Sequence, residues 1–275
     1  MPIQKTEAII LKSQKFRETS KILTLYTRRY GKMKVIAKGA RGLKSRFYGS
    51  LEPLNYISIV FYFKEKRDLQ LISQADIRNY FNRIKTDLEK YSLTSIIFEV
   101  ILRSEYAEDP NPLLFNSVVQ FLESLDRAAE RYENHFFWLL LKFLQIHGFK
   151  PRFDSCIHCG RGHSEEVDFY FSINRGGLTC RNCKTSEATG IMLSHPTINY
   201  LLALENTSHL GISAVIDSKQ AVKESARLLN RFMNYHIEGL AGLKSMDFLS
   251  HIRSSANTKN QKSNTGNGAQ TEQDT

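Results

Sequence analysis

Residues 32–64 read KMKVIAKGARGLKSRFYGSLEPLNYISIVFYFK. The front of this stretch alternates Lys32, Lys34 and Lys38 with Met33, Val35 and Ala37, and it stops at Gly39. That is the two-residue period of a strand with one face in a core. The back, LNYISIVFYFK, is dense in aromatic and β-branched residues and predicts a second strand. Between them, GARGLKSRFYGSLEP holds three glycines, three basic residues and two aromatics. A loop of this size is either functional or mobile. Outward on both sides lie TEAIILKS (6–13), SKILTLYTRRYGK (20–32) and DLQLISQADI (68–77), each patterned as a strand. Short strands at this spacing predict a small five-stranded barrel over residues 1–79, for which the OB-fold is the common form. The alternation alone leaves an SH3-like barrel open.

Charge sets this segment apart. The chain has 275 residues and a net charge of +10. Residues 1–50 carry thirteen Lys and Arg against Glu7 and Glu18, so they hold +11 and the remainder sums to −1. Such concentrated positive charge is the footprint of a polyanion binder, although a solvated basic face has the same composition. In the loop, Arg41, Lys44 and Arg46 lie beside Phe47 and Tyr48. Cations track phosphates and aromatic faces stack on bases. Whether the two aromatics stack or return to the barrel core stays open at this point.

From about residue 80 the period becomes helical. RIKTDLEKYSLTSIIFEVILRSEYAE (83–108) predicts one long amphipathic helix, and Asn111-Pro112 opens the next as cap and first position. NHFFWLLLKFLQIHG (134–148) predicts a helix buried on most sides that stops at Gly148. Helical patterning resumes at SHPTINYLLALEN, with Ser194 as cap, and continues through SKQAVKESARLLNRFMNYHIEGL and KSMDFLSHI. The expectation is a helical domain, 80–150 plus 191–252, interrupted by a module at 151–190. Residues 253–275 lack the apolar surface to offset ordering entropy and are expected to be disordered. No apolar run approaches the ~18 residues of a membrane span, and the N-terminus lacks a secretory pattern. The expectation is a cytoplasmic chain with no membrane association.

All four cysteines fall in the interrupting module, as Cys156-x-x-Cys159 and Cys180-x-x-Cys183. Two such knuckles complete a tetrahedral thiolate site, and zinc is the ion expected there. Disulfides are disfavoured in a reducing compartment. A catalytic reading exists: nucleobase deaminases carry His-x-Glu followed by Pro-Cys-x-x-Cys, and this chain has His163 and Glu165 ahead of Cys180. Here the residue before Cys180 is Thr179, and the deaminase pattern leaves Cys156 and Cys159 without a role. Four thiolates leave no open position to activate water, so the metal is expected to hold the fold together. His158 reads as an exposed loop residue. FYFSINRGGLTC predicts a hairpin between the knuckles, making the module zinc-ribbon-like. The chain has no phosphate-binding Gly-rich loop, hydrolase elbow or metalloprotease motif. The acidic pairs Glu108-Asp109 and Glu165-Glu166 read as solvated. The expectation is a binding protein, not an enzyme.

These stretches, in this order, resemble one family. TEAIILKSQKFRETSKILTLYTRRYGKMKVIAKGARGLKSR resembles the N-terminal barrel of RecO proteins, the bacterial recombination mediators of DNA repair, and GSLEPLNYISIVFYFK the strand after their basic loop. LLLKFLQIHGFKPRFDSCIHCG resembles the helix leading into the family's first knuckle, and FYFSINRGGLTC with RNC its second. The resemblance covers about residues 1–250. It implies binding of single- and double-stranded DNA, annealing of complementary strands, and action with RecR and the C-terminal tail of SSB to help load RecA. Family DNA contacts would fall on Lys38, Arg41, Lys44 and Arg46; charge placement adds Lys15, Arg17 and Lys34. An RNA-binding or ribosome-associated barrel-plus-ribbon protein is the alternative.

Overall fold

The computed structural model describes residues 2–42, 44–65, 67–164, 167–184 and 190–249. Five strands open the chain: β1 (Ile3–Phe16), β2 (Ser20–Thr27), β3 (Gly31–Ala37), β4 (Tyr56–Tyr62) and β5 (Leu69–Asn79). They close into a barrel in the order β1-β2-β3-β5-β4, with β4 returning to β1. The closing pair is parallel, Lys34 opposite Leu69 and Ile36 opposite Leu71. This Greek-key order with a parallel β3–β5 seam is that of an OB-fold, and it decides between the two barrels that alternation left open.

A bulge falls between Ile10 and Lys12 of β1 and bends the strand. Ala8 and Ile10 point into the barrel with Leu23, Leu25, Val35 and Phe61. Ile9, Leu11 and Tyr26 face the other way, yet they are buried too, because the helices pack against that face. A second, larger core therefore runs from the outer wall of the barrel through the helices and into the cysteine module.

The junction is close. Gly31 at the β2–β3 turn has φ +60, and a Cβ there would run into the backbone of Asp109. Lys32 Nζ donates to the carbonyl of Leu102 at 2.7 Å.

The helices are α1 (Asn82–Thr86), α2 (Leu88–Ser104), α3 (Pro112–Arg127) and α4 (Tyr132–Ile146). The single long helix expected over 83–108 is broken at Asp87, whose carboxylate accepts from the Glu89 and Lys90 amides and starts α2 afresh. Lys90 is buried, and its ammonium donates to the Ala128 carbonyl at 2.6 Å, closing the end of α3. Asn111 caps α3 by accepting from Leu114, with Pro112 at the first position. Gly148 ends α4 at φ +83.

The cysteine module forms a three-stranded sheet, β6 (Phe169–Ser172), β7 (Gly177–Cys180) and β8 (Gly190–Leu193), ordered β7-β6-β8. β6 and β7 are the expected hairpin; β8 carries no strand signal in the sequence. Helices α5 (His195–Asn206) and α6 (Lys219–His236) follow, with helical residues at 244–249. Ser194 precedes α5 but makes no side-chain cap; Glu224 of α6 accepts from its amide and hydroxyl and from Thr197 instead. The tail expected to be disordered lies outside the described residues. Among those described, no helix is long and apolar enough to cross a membrane.

Candidate metal centre and nucleic-acid interface

The first knuckle folds because Gly160 adopts φ +70, so that its amide reaches the Cys156 carbonyl at 2.9 Å while the Cys156 amide reaches Arg161 at 2.8 Å. The second follows from β7: pairing of Cys180 with Phe169 fixes its position, and a 3-10 turn over Arg181–Cys183 presents Cys183. Together they bring the sulfurs of Cys156, Cys159, Cys180 and Cys183 within 4.8 Å of one another. The Cys159 and Cys180 sulfurs are 3.8 Å apart. A tetrahedral ion with metal–sulfur bonds of about 2.3 Å has sulfur–sulfur edges of about 3.8 Å, so the donor set fits zinc.

The electrostatics agree. Burial raises the Cys156 thiol, but the amides of Cys159, Cys180 and His158 outweigh it and bring the thiol down to about 6. Cys183 is pushed up to about 12, chiefly by its hydrogen bonds to Cys159 and Cys180. The protein thus prepares one thiolate and resists the next, a resistance that a dication held by the four sulfurs would remove. His158 is exposed beside Arg175, outside the cluster. His163 Nε2 pairs with His195 Nδ1 at 2.8 Å and lies outside the cysteine cluster. Glu165 and the Glu165-Glu166 pair lie outside the described residues.

The basic residues fall in two places. One is the end of the barrel where the 39–53 loop meets the β1–β2 turn. Successive turns shape this loop: amides of Gly42, Ser45, Tyr48 and Ser50 reach the carbonyls of Gly39, Gly42, Ser45 and Phe47. Asn55 ties it down by donating to Gly49 and Ser50, both at 3.0 Å. Lys44 and Arg46 are exposed on it, and Lys38 is exposed just before it. The two aromatics separate: Phe47 is 3% exposed in the barrel core, whereas Tyr48 is 88% exposed. Arg41, exposed like the other cations of the loop, also makes a structural contact. Its guanidinium donates to the carbonyls of Arg17 at 3.1 Å and Glu18 at 2.9 Å, pinning the loop to the turn. Arg17 is exposed there, with its guanidinium over Phe16. Lys15 is exposed opposite Lys21 in the β1–β2 register.

The second place is the outer face of β1–β2–β3. Lys12, Thr24 and Lys34 share one row across the three strands, on the same face. They border a cleft of about 600 Å³ between the barrel and the segment after α2, which Lys32 and Arg67 also line. Lys34 was expected from the sequence; Lys12, Lys32 and Arg67 were not. Burial lowers the Lys32 ammonium, whose hydrogen bond to Leu102 marks the closed end of the cleft. Arg67 lies in the β4–β5 turn, a loop that OB-folds use for oligonucleotides together with the β2–β3 face. The strand register was the missing signal: it is what makes Lys12 and Lys34 neighbours.

Comparison with known proteins follows the same division of the chain. Residues 1–81 match the family described as Recombination protein O N terminal, and residues 85–247 match Recombination protein O C terminal. The chain belongs to the RecO family. It is 31% identical over 248 residues to the DNA repair protein RecO of Caldanaerobacter subterraneus subsp. tengcongensis, covering 90% of this chain and 98% of that one. It is 29% identical to the DNA repair protein RecO of Pelodictyon phaeoclathratiforme, covering 91% and 98%. The Bacillus pumilus DNA repair protein RecO is 29% identical over 252 residues, covering 91% and 94%. RecO proteins are DNA repair proteins, so the basic barrel and the four-sulfur cluster belong to a repair protein of this family.

Proposed function

We propose that this chain binds single- and double-stranded DNA through the outer face of its barrel, anneals complementary strands, and acts as a recombination mediator without catalysing a covalent step. The observation that carries the reading is the run of exposed cations from Lys12 and Lys34 to Lys38, Lys44 and Arg46, with Tyr48 open to solvent beside it. Phosphate contacts neutralise a polyanion without reading its sequence, which leaves bases free to pair. The barrel over 1–79 carries this site, together with Lys15 and Arg17. The helical part, proposed over 80–150 and 191–252, supports it, and its residues Ile191–Leu193 complete the module's sheet as part of β8. The module over 151–190 is held by zinc on Cys156, Cys159, Cys180 and Cys183. Family membership supports action with RecR, with the acidic C-terminal tail of SSB and, through them, with RecA, in the bacterial cytoplasm at sites of repair.

The test is annealing of two complementary labelled strands, followed by fluorescence. Lys38→Glu/Lys44→Glu/Arg46→Glu slows it at least tenfold; Arg41 is left intact because its loss would free the loop. Annealing at the wild-type rate contradicts the reading, as does tighter binding of RNA than of DNA of equal length.

A further inference from the structure

Helix α6 carries Lys219, Lys223, Arg227 and Arg231 at strict four-residue intervals, and Tyr235 is next in the series. All five are exposed, Tyr235 by 62%. Four-residue spacing places side chains in one inclined ridge, each step rising about 6 Å along the axis. The opposite side of the helix, with Leu228, Leu229 and Phe232, is buried in the core. Among the described residues none of the four cations makes an ion pair or a side-chain hydrogen bond. Glu224, three residues before Arg227, is engaged otherwise: Oε2 accepts from Ser194 and Thr197 at the start of α5 and Oε1 from Gln220.

Like charges four residues apart destabilise a helix. Three such pairs in succession, none of them ion-paired to an anion among the described residues, weaken the isolated fold and suit an anionic partner. The ridge is not part of a general basic background, because the chain beyond residue 50 sums to −1. It is polar along its length and ends on an open aromatic ring. That suits a sugar-phosphate backbone with a stacking base. An acidic peptide would need an apolar pocket beside the cations to seat its anchoring side chains, and the apolar crevice that Ala226, Asn230 and Met233 of α6 line there with Leu243 has a volume of about 30 Å³, room for one water but not for a side chain.

We propose that this ridge is a second nucleic-acid site, which holds the backbone of one single strand while the barrel holds another. The proposal rests on the barrel reading given under Proposed function. It provides annealing with two polyanions neutralised on one chain. The basic N-terminal segment dominates the charge count, and the average over the rest of the chain conceals the ridge.

The experiment uses the full chain and two non-complementary single strands of about 8 nucleotides, within the range one OB-fold accommodates. They carry a donor and an acceptor dye. Stoichiometry and energy transfer are measured for the wild type and for Lys223→Gln/Arg227→Gln/Arg231→Gln. Removing like charges keeps α6 folded, which circular dichroism checks. The wild type is expected to take two strands per chain with energy transfer between them. The variant is expected to take one at unchanged affinity, without transfer. With a longer strand that reaches both sites, its salt slope falls by about 2, at roughly 0.7 per lost contact. A wild type that takes one strand, lost on barrel substitution, overturns the ridge and leaves the barrel reading standing. A wild type that takes none overturns both. A labelled poly-aspartate peptide serves as the third arm. Its binding by the wild type and loss in the variant, with two-strand uptake unchanged, assigns the ridge to an acidic protein and overturns the proposal.

Discussion

At the scale of single residues, neighbours in sequence have been given opposite work. Phe47 fills the barrel and Tyr48 faces solvent, although both stand in one basic loop. Phe47→Ala is expected to cost about 3–5 kcal/mol of stability, the usual range for a buried phenylalanine. Tyr48→Ala is expected to leave the urea midpoint unchanged and weaken single-strand binding by roughly 1–3 kcal/mol, the worth of one stacked base. Equal stability losses in both variants would contradict this division. Sequence could not separate the two, because a loop of successive turns imposes no two-residue period. Burial also sets a pH response. His135 is almost wholly enclosed, and desolvation, aided by Lys90, brings it down to about 4. The unfolded imidazole, near 6.5, takes up a proton first as pH falls. Stability is therefore unaffected above that value and declines between about pH 6.5 and 4, by roughly 1.4 kcal/mol per unit. His147 is raised instead: burial lowers it, but hydrogen bonds to Glu105 and Phe143 outweigh that. Its contribution is already complete below 6.5, so it does not mask the decline. Urea midpoints at about pH 6.5 and 5, a window above the carboxylate range, should lie close together in His135→Gln and apart in the wild type; an equally stable wild type at both would refute the assignment.

At the scale of elements, the small size of the cysteine module gives the proposed metal its structural role. Its sheet has three strands of four residues each. Phe153, Phe169 and Phe171 lie beneath, and Phe171 packs edge-on against Phe232 of α6 at 5.4 Å. So small an element cannot hold its strands by burial alone. Metal removal with a strong chelator, or Cys180→Ser, is expected to unfold the module and loosen α6 through Phe232. Native mass spectrometry should find one zinc per chain. The melting temperature should fall by several degrees, at about 2–4 °C per kcal/mol for a chain of this size. A melt that ignores the chelator would deny the metal its structural role. The knuckles were legible because Cys-x-x-Cys spacing is a local geometric demand. β8 was not, since Gly190–Leu193 becomes a strand only by pairing with β6. The break at Asp87 was hidden for a related reason: the apolar period runs through it, and only the cap interrupts it.

At the scale of the whole molecule, barrel, helices and sheet share a core, so the basic face is mounted on a rigid support. Alternation in β3 and β5, with the aromatic and β-branched density of β4, made the barrel readable. The burial of Ile9, Leu11 and Tyr26 on the other face was not readable, since it depends on helices far along the chain. The same limit applies to the interface. Charge density pointed to residues 1–50, but register was required to place Lys12 and Lys34 in one row, and hydrogen bonds to the Arg17 and Glu18 carbonyls to reveal that Arg41 holds the loop. The central claim is that the barrel face binds phosphates. Its most direct test is the anisotropy of labelled single-stranded DNA over a salt series, wild type against Lys34→Gln/Lys38→Gln/Lys44→Gln/Arg46→Gln. A fall of about 3 in the salt slope, at roughly 0.7 per contact, with weaker binding to every sequence alike, is the predicted result. An unchanged slope, or a loss confined to one sequence, would contradict it.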